Sequence, residues 1–172
     1  MTILYITSIL LTNDKSAFSQ THKIENNTAT FNINKMVTNL VNLSDPIYQA
    51  FSGTFLTTKN ISSYPSIITE DYAIENAIMK NVGNVTNNMT FTNTHLSDGL
   101  IQSKSKGVIT TRDGLTIGWI SSDLGTMNSK GELFHGIILF NSTNSPSLLF
   151  LNNATGIYKV TPEIQRTIWL LK

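Results

Sequence analysis

Apolar and polar residues alternate along most of the chain after residue 46, and turn-forming residues separate the alternating stretches. Alternation with a period of two is typical of strands that bury one face. The stretches that predict strands are 50–61, 74–82, 85–96, 100–111, 115–122, 133–140, 148–151, 155–160 and 166–171. The pattern therefore predicts an all-β chain with eight or nine strands.

Two segments also fit a helical period. Ala73, Ala77 and Ile78 make a helix over 71–80 the alternative to a strand there. Met36 and Val37, with Leu40 and Val41 one turn later, predict a short helix over 34–43.

The turns between the strands predict the topology. Asp98-Gly99 and Asp113-Gly114 stand between extended runs and predict tight hairpins, with positive φ at both central residues. Consecutive hairpins leave no room for crossover helices, so the sheet should be antiparallel and up-and-down. Because a long sheet hides its edges by closing, we expect a barrel, with a two-sheet sandwich as the alternative.

Four segments carry a resemblance to a known group of proteins. They are GVITTRDG at 107–114, FHGIILF at 134–140, LFLNNATGIY at 149–158 and TIWLLK at 167–172. This order resembles small secreted archaeal proteins of unknown function with a calycin-like β-barrel, similar to lipocalins and allene oxide cyclases. The resemblance covers roughly residues 83–172, implies the barrel, and carries over no functional residue. Leu170 departs from it, because a charged residue often stands there.

The first residues indicate an extracytoplasmic location. Residues 3–11 are apolar, and Ala17, Phe18 and Ser19 place small residues where a signal peptidase reads, so we expect cleavage after Ser19. A buried first strand of a cytosolic protein is the alternative. No later run reaches the length of a membrane-spanning helix. We therefore expect a signal peptide at 1–19, a leader at 20–46, one barrel domain at 47–172, and a secreted or cell-surface location without a transmembrane span.

Composition sharpens this interpretation. Asn, Ser and Thr make up about a third of the chain, and there is no cysteine, so the hydrophobic core must hold the fold without disulfides. Asn-x-Ser/Thr sequences are candidate glycosylation sites, although their number only slightly exceeds what this composition gives by chance. They start at Asn26, Asn42, Asn60, Asn84, Asn88, Asn141 and Asn153.

Charge and motifs exclude several functions. Twelve basic and eleven acidic residues give a net charge of +1 with no basic cluster, so we expect no nucleic-acid partner. No phosphate loop, nucleophile elbow, dinucleotide fingerprint or metal-ligand spacing is present, and we expect no cofactor and no metal. A spatial site built from His95, His135 and a carboxylate such as Asp123 or Glu132 is the less favoured interpretation.

The barrel interior is the remaining place for a site. If it holds a cavity, the sequence nominates Trp119, His135, Phe140, Tyr158 and Arg166 as its lining. The first hypothesis is a non-enzymatic protein that binds a small apolar ligand. The alternatives are an isomerase barrel of the allene oxide cyclase or dirigent kind, and a structural cell-surface protein. A cavity with His135 or Arg166 beside an ordered carboxylate favours the isomerase, and a purely hydrocarbon interior counts against it. The oligomeric state stays open.

Overall fold

A computed structural model of the chain describes residues 45–96, 99–128, 131–161, 163 and 165–171. In these residues eight antiparallel strands form one closed barrel in which each strand pairs with the next and β8 pairs with β1. The strands are β1 (Tyr48–Ser62), β2 (Ile67–Met79), β3 (Gly83–His95), β4 (Leu100–Thr111), β5 (Thr116–Asn128), β6 (Gly131–Phe140), β7 (Thr155–Val160) and β8 (Arg166–Leu170). The predicted all-β, up-and-down barrel is confirmed. The signal segment 1–19 and the predicted helix 34–43 lie outside the described residues.

One local alternative and one local prediction are wrong. Residues 71–79 belong to strand β2, in which Asp71, Ala73 and every second residue up to Met79 are buried, so the helical alternative fails. The predicted strand 148–151 is a 3₁₀ helix, Pro146–Leu151. Pro146 starts it because its fixed φ suits a helical first turn. Leu148 and Leu151, three residues apart, then share one buried face. No helix in the described part of the chain is long and apolar enough to cross a membrane.

The Asp-Gly hairpin at the end of β4 uses a longer turn than the sequence predicted. The Thr111 N–H donates to the Leu115 carbonyl at 2.8 Å, and the Gly114 N–H donates to the Thr111 carbonyl at 3.0 Å. Gly114 has a φ of +85°, whereas Asp113 is not among the described residues with positive φ. The loop is therefore a three-residue turn in which glycine alone adopts the left-handed conformation. Gly99, with a φ of +79°, occupies the same place between β3 and β4.

One end of the barrel has a hydrocarbon interior, which we call the apolar end. It is the end where β1 begins and β2 stops, and the 3₁₀ helix places Leu148 and Leu151 in it with no exposed surface. Its other buried side chains are those of Ile47, Tyr48, Ala77, Met79, Val85, Ile109, Ile117, Ile138, Phe140 and Ile168. Burial of this cluster supplies the hydrophobic stabilisation that the absence of cysteine demands.

Glycine opposite an aromatic ring shapes the wall. Gly107 of β4 pairs with Trp119 of β5, and a Cβ on Gly107 would lie 2.5 Å from the indole ring. Gly125 of β5 pairs with Phe134 of β6 and leaves room for its ring in the same way. Both rings can therefore lie flat against a neighbouring strand, inside the barrel, where an alanine would push them away.

The opposite end, which we call the open end, is shaped by unequal strands. β1 has fifteen residues and β8 has five. The register between them consists of Tyr48 with Ile168 and Gln49 with Thr167. Beyond these pairs β1 continues along β2 alone, with bulges after Ala50 and Phe55. The barrel is consequently closed by strand pairing at the apolar end and left wider at the open end.

Candidate functional site

A cavity of about 190 Å³ lies at the open end, and all eight strands contribute to its wall. Its volume exceeds the roughly 150 Å³ of an engineered protein cavity that holds benzene. Its apolar lining consists of Phe55, Ala73, Ile74, Met89, Phe91, Phe134 and Val160, with the backbone of Gly53 beside them. Its polar lining includes Glu75, Asn93, Ser103, Asp123, Tyr158 and Arg166. The cavity is thus apolar in part, with several polar groups that converge on it.

Phenylalanine side chains form the apolar part. Phe55 of β1 and Phe91 of β3 face each other with ring centroids 6.4 Å apart at an interplanar angle of 55°. Phe55 is 49% exposed, so the cavity reaches the protein surface beside it. Phe134 is half-buried on β6. These rings offer apolar contact area to anything that enters from solvent.

Glu75 on β2 is the best-satisfied carboxylate in the interior. It is 1% exposed, and its Oε2 accepts hydrogen bonds from the Tyr48 hydroxyl at 2.9 Å and from Asn87 Nδ2 at 3.4 Å. Its Oε1 accepts a hydrogen bond from Arg166 Nε at 3.2 Å. Asn87 in turn accepts a hydrogen bond from Trp119 Nε1 at 2.9 Å. The network holds Arg166 in place, and burial, followed by the charge of Glu75, raises the pKa of Tyr48 above its ordinary range.

Arg166, the first residue of β8, is a buried cation enclosed by aromatic rings. It is 2% exposed, and its guanidinium carbon lies 4.7 Å from the centre of the Tyr158 ring, 5.4 Å from that of Trp119 and 5.6 Å from that of Phe91. Burial alone would lower its pKa, but the interactions with Glu75, Tyr158 and Tyr48 together outweigh burial and raise the pKa of Arg166 above its ordinary value. Its Nη1 is buried and has no hydrogen-bond partner among the described residues. The guanidinium therefore stays charged and keeps an unused donor.

Asp123 on β5 and Tyr158 on β7 form the second polar group in the cavity wall. The Tyr158 hydroxyl donates a short hydrogen bond to Asp123 Oδ2 and lies 3.0 Å from Ser121 Oγ. Burial raises the pKa of Asp123, although the bond from Tyr158 and the charge of Arg166 act in the opposite direction. Burial likewise raises the pKa of Tyr158 above its ordinary range. The site thus combines a carboxyl group whose pKa is raised with a phenol that keeps its proton.

A third carboxylate lies behind the lining. Asp71 on β2 is buried and accepts hydrogen bonds from Asn93 Nδ2 at 2.6 Å and from Thr69 Oγ1 at 3.4 Å. Asn93 itself lines the cavity. The described interior therefore holds three carboxyl groups and one guanidinium.

The structure brings together two of the five residues that the sequence nominated. Tyr158 and Arg166 line the cavity. Trp119 is buried against the guanidinium but lies outside the lining, and Phe140 belongs to the apolar end. The placement of His135 in the cavity is wrong, because its side chain is exposed on the outside of the barrel.

His135 was misplaced because strand β6 is apolar on both faces. Phe134, Ile138 and Phe140 point inward, whereas Ile137 and Leu139 are 53% and 44% exposed. His135 shares the outer face with these last two, and a shift of one residue in phase reverses every side chain of a strand. Asp123 is buried, so His135 and Asp123 stand on opposite faces of the wall and cannot form the alternative site together. The side chain of Glu132, the other carboxylate named for that site, lies outside the described residues. Among the described residues no group of three metal-ligating side chains comes together.

Sequence reasoning missed Glu75, Asn87 and Asn93, and it named Asp123 only as a partner of His135. On β2, burial of the apolar Ile74 and Ile78 would turn Glu75 outward, yet Ile78 is 56% exposed and Glu75 is buried. One available signal was the run of small alanines at 73 and 77, which leaves interior room for long polar neighbours. The interior is not hydrocarbon alone, and Arg166 has an ordered carboxylate partner, as the isomerase hypothesis required.

Five candidate glycosylation sites fall on described residues. Asn60, Asn84, Asn88, Asn141 and Asn153 are all exposed. Their side chains are accessible, and their modification stays a prediction. Asn26 and Asn42 lie outside the described residues.

Comparison with known proteins finds similarity of fold. No protein-family model and no curated protein matches the chain. A solved conserved protein of unknown function from Rhodopseudomonas palustris is similar with a TM-score of 0.59 and 10% sequence identity, over 75% of this chain and 95% of that one. A solved protein of unknown function from Clostridium acetobutylicum is similar with a TM-score of 0.61 and 13% identity, over 74% of this chain and 97% of that one. At these identities the likeness shows a shared closed eight-stranded antiparallel barrel and nothing about activity.

Proposed function

We propose that the protein binds one small, uncharged, amphipathic molecule in the cavity at the open end of its barrel. The observation that carries this proposal is Arg166, a buried guanidinium in the cavity lining with an unused Nη1 donor. A buried donor without a partner costs about 1–3 kcal/mol, and more when it is charged. A ligand that brings a hydrogen-bond acceptor to this group recovers that cost.

The charges around Arg166 favour an acceptor without charge. Glu75 already neutralises the guanidinium through an ion pair at 3.2 Å. An anionic ligand would add a further negative charge close to Glu75 and Asp123, in an interior that has only one cation among its described buried residues. A carbonyl oxygen meets the same donor without that repulsion.

The apolar lining sets the rest of the ligand. Phe55, Phe91 and Phe134 line the cavity together with Met89 and Val160, and Phe55 is exposed to solvent. A compact ring system with one carbonyl group matches both parts of the wall. Shape and contact with these rings supply most of the affinity, and Arg166 fixes the orientation.

The first experiment compares two probes that differ in one oxygen. Binding of 2-indanone and of indane to the full chain is measured by ligand-observed NMR titration. We expect 2-indanone to bind roughly tenfold to a hundredfold more tightly, as one hydrogen bond to a charged group implies. Equal affinities would contradict the role of Arg166, and failure of both probes to bind would contradict a ligand cavity.

A matched pair of variants locates the binding. Val160→Phe adds a ring to the cavity wall, whereas Val108→Phe adds the same ring to the outer surface, where Val108 is 44% exposed. We expect the first variant to lose 2-indanone binding and the second to keep it. Binding that survives Val160→Phe would place the probe elsewhere.

The location of the protein is a separate proposal. The signal-like residues 1–19 support secretion, the exposure of the five described Asn-x-Ser/Thr sites is compatible with it, and the resemblance to small secreted archaeal barrels points the same way. Mass spectrometry of the protein from its own source tests export, glycosylation and the presence of a bound ligand. A mature chain that starts at Gln20 supports export, and a retained Met1 contradicts it.

The same measurement bears on the ligand. An additional mass that dissociates on denaturation identifies the natural ligand, whereas a bare or glycan-only chain favours a structural surface protein.

A further inference from the structure

We propose that the cavity catalyses proton transfer at the carbon next to a carbonyl group, so that it isomerises enolisable ketones or aldehydes. This inference deepens the proposed function and rests on it, because the carbonyl compound must first bind beside Arg166. It arises from three side chains that line one cavity, namely those of Asp123, Tyr158 and Arg166.

These three groups are neighbours around one ring. The guanidinium carbon of Arg166 lies over the Tyr158 ring, 4.7 Å from its centre, and the Tyr158 hydroxyl group donates to Asp123 Oδ2. A fixed cation therefore lies over the ring, and a carboxylate lies at its hydroxyl end. A small carbonyl compound in the cavity that all three groups line can place its oxygen at the cation while its adjacent carbon approaches the carboxylate.

Asp123 is the carboxylate suited to accept the proton. Glu75 receives hydrogen bonds from three side chains, one of which is its ion-pair partner Arg166. Both of its carboxylate oxygens are therefore already occupied as hydrogen-bond acceptors. Asp123 is held by Tyr158, is 8% exposed and borders the open volume. Its burial makes it a stronger base than an exposed aspartate, which favours transfer from a weakly acidic C–H bond.

The reaction balances without a further reactant. The Asp123 carboxylate removes a proton from the carbon next to the carbonyl group, and the electron pair of that C–H bond becomes the new C=C bond. The carbonyl π electrons move onto the oxygen, whose negative charge the Arg166 guanidinium stabilises. The protonated Asp123 then returns the proton to the same carbon, or to a more distant carbon of a conjugated enolate. Nothing is oxidised or reduced.

Tyr158 is a positioning residue in this scheme. Its pKa lies above the ordinary range, so it remains a donor that fixes the Asp123 carboxylate while Ser121 contacts its own oxygen. The buried ion pair with Glu75 keeps Arg166 in place over the Tyr158 ring. The positions of the cation and the carboxylate are consequently set before a ligand arrives.

Two assays on the full chain test the inference. Hydrogen–deuterium exchange at the α-carbons of 2-indanone in D₂O is followed by ¹H NMR, and conversion of 3-cyclohexen-1-one to its conjugated isomer is followed by ultraviolet absorbance. We expect the protein to accelerate both above the buffer rate. We expect Asp123→Asn to reduce the protein-dependent rate roughly a hundredfold or more while 2-indanone still binds, because loss of a general base costs about 10²–10⁴-fold. Asp45→Asn, which removes an exposed carboxylate, should leave the rate unchanged.

The outcomes separate the two proposals. If 2-indanone binds without faster exchange, the catalytic inference is overturned and the binding function stands. If Asp123→Asn folds and exchanges as fast as the unaltered chain, Asp123 is not the base and the inference fails. Should Asp123→Asn not fold, Val160→Phe provides the decision, because it fills the cavity without replacing any of the three groups. Exchange that continues in Val160→Phe shows that the cavity does not catalyse it.

Discussion

The two ends of the barrel contrast in what they bury. At the apolar end Leu148, Leu151 and Phe140 fill the interior with hydrocarbon. At the open end the same eight strands bury Glu75, Asp123 and Arg166 around a cavity. The backbone pattern is continuous between the two, so the difference lies in side chains and in the short reach of β8. One end of the barrel can supply stability while the other keeps polar groups and space that stability alone would not select.

The largest expected effect comes from breaking the polar end at Glu75. Glu75→Ala removes three hydrogen bonds and leaves the Arg166 charge buried without its partner. We expect a loss of about 3–5 kcal/mol in the free energy of unfolding, measured by denaturant titration. The double variant Glu75→Met with Arg166→Met should recover most of that loss, because it removes both charges. A single variant as stable as the parent would show that the pair does not matter.

The next effect tests the apolar end. Leu148→Ala opens a void in the fully buried contact between the 3₁₀ helix and the barrel. It should lower the free energy of unfolding by about 2–5 kcal/mol. The neighbouring Leu149 is 50% exposed, and Leu149→Ala should change stability by no more than about 0.5 kcal/mol. Similar losses in both variants would mean that the helix does not close this end.

A smaller effect is expected in the wall between the two ends. Gly107→Ala places a Cβ 2.5 Å from the Trp119 ring and 2.7 Å from a backbone oxygen, so we expect a loss of about 1–3 kcal/mol in thermal or denaturant unfolding. Gly118→Ala meets the flexible end of Asn141 at 2.9 Å and should be tolerated. If both glycines accept alanine equally, the flat packing of Trp119 is not what holds glycine at 107.

The smallest effect is a pH dependence confined to the open end. Burial raises the pKa of Asp123, so the folded chain holds this proton more tightly than the unfolded chain does. The stability from this group is complete below the ordinary aspartate pKa and is lost as the pH rises through the higher folded value. Asp123→Asn should therefore be more stable than the parent at neutral pH, and the difference should vanish in acid. A difference that grows in acid would show that the pKa is lowered instead.

Much of the fold was predictable because the signals for an up-and-down barrel lie within short stretches of sequence. Alternation marked most strands, and glycine in the turns marked the hairpins, since each strand pairs with its neighbour in sequence. The exception at 148–151 shows the limit of this reasoning. Four apolar residues are equally compatible with a short strand and with a buried 3₁₀ turn, and the structure has the turn, with Leu148 and Leu151 buried.

The site was less predictable because the phase of a strand is set by tertiary packing. Tyr158 and Arg166 were nominated correctly as cavity residues, but His135 pointed outward from a strand whose two faces are both apolar. Glu75 was hidden between Ile74 and Ile78, in a strand that would bury its isoleucines if hydrophobicity alone decided. The partners that make a carboxylate acceptable inside, Tyr48, Asn87 and Arg166, come from three other strands and leave no local signal.

The short pairing between β1 and β8 has a consequence for how the chain folds and moves. Seven of the eight strand junctions join consecutive strands, whereas the junction of Tyr48 with Ile168 joins residues 120 positions apart through two residue pairs. Among the junctions between the eight described strands, its loop-closure entropy is the largest and its backbone pairing is the smallest. We expect this junction to form last during folding and to open first in native-state hydrogen exchange, before the amides of β3 and β4. The cavity begins where that junction ends. Opening of the junction, which reverses the step that completes the barrel, would therefore admit a ligand.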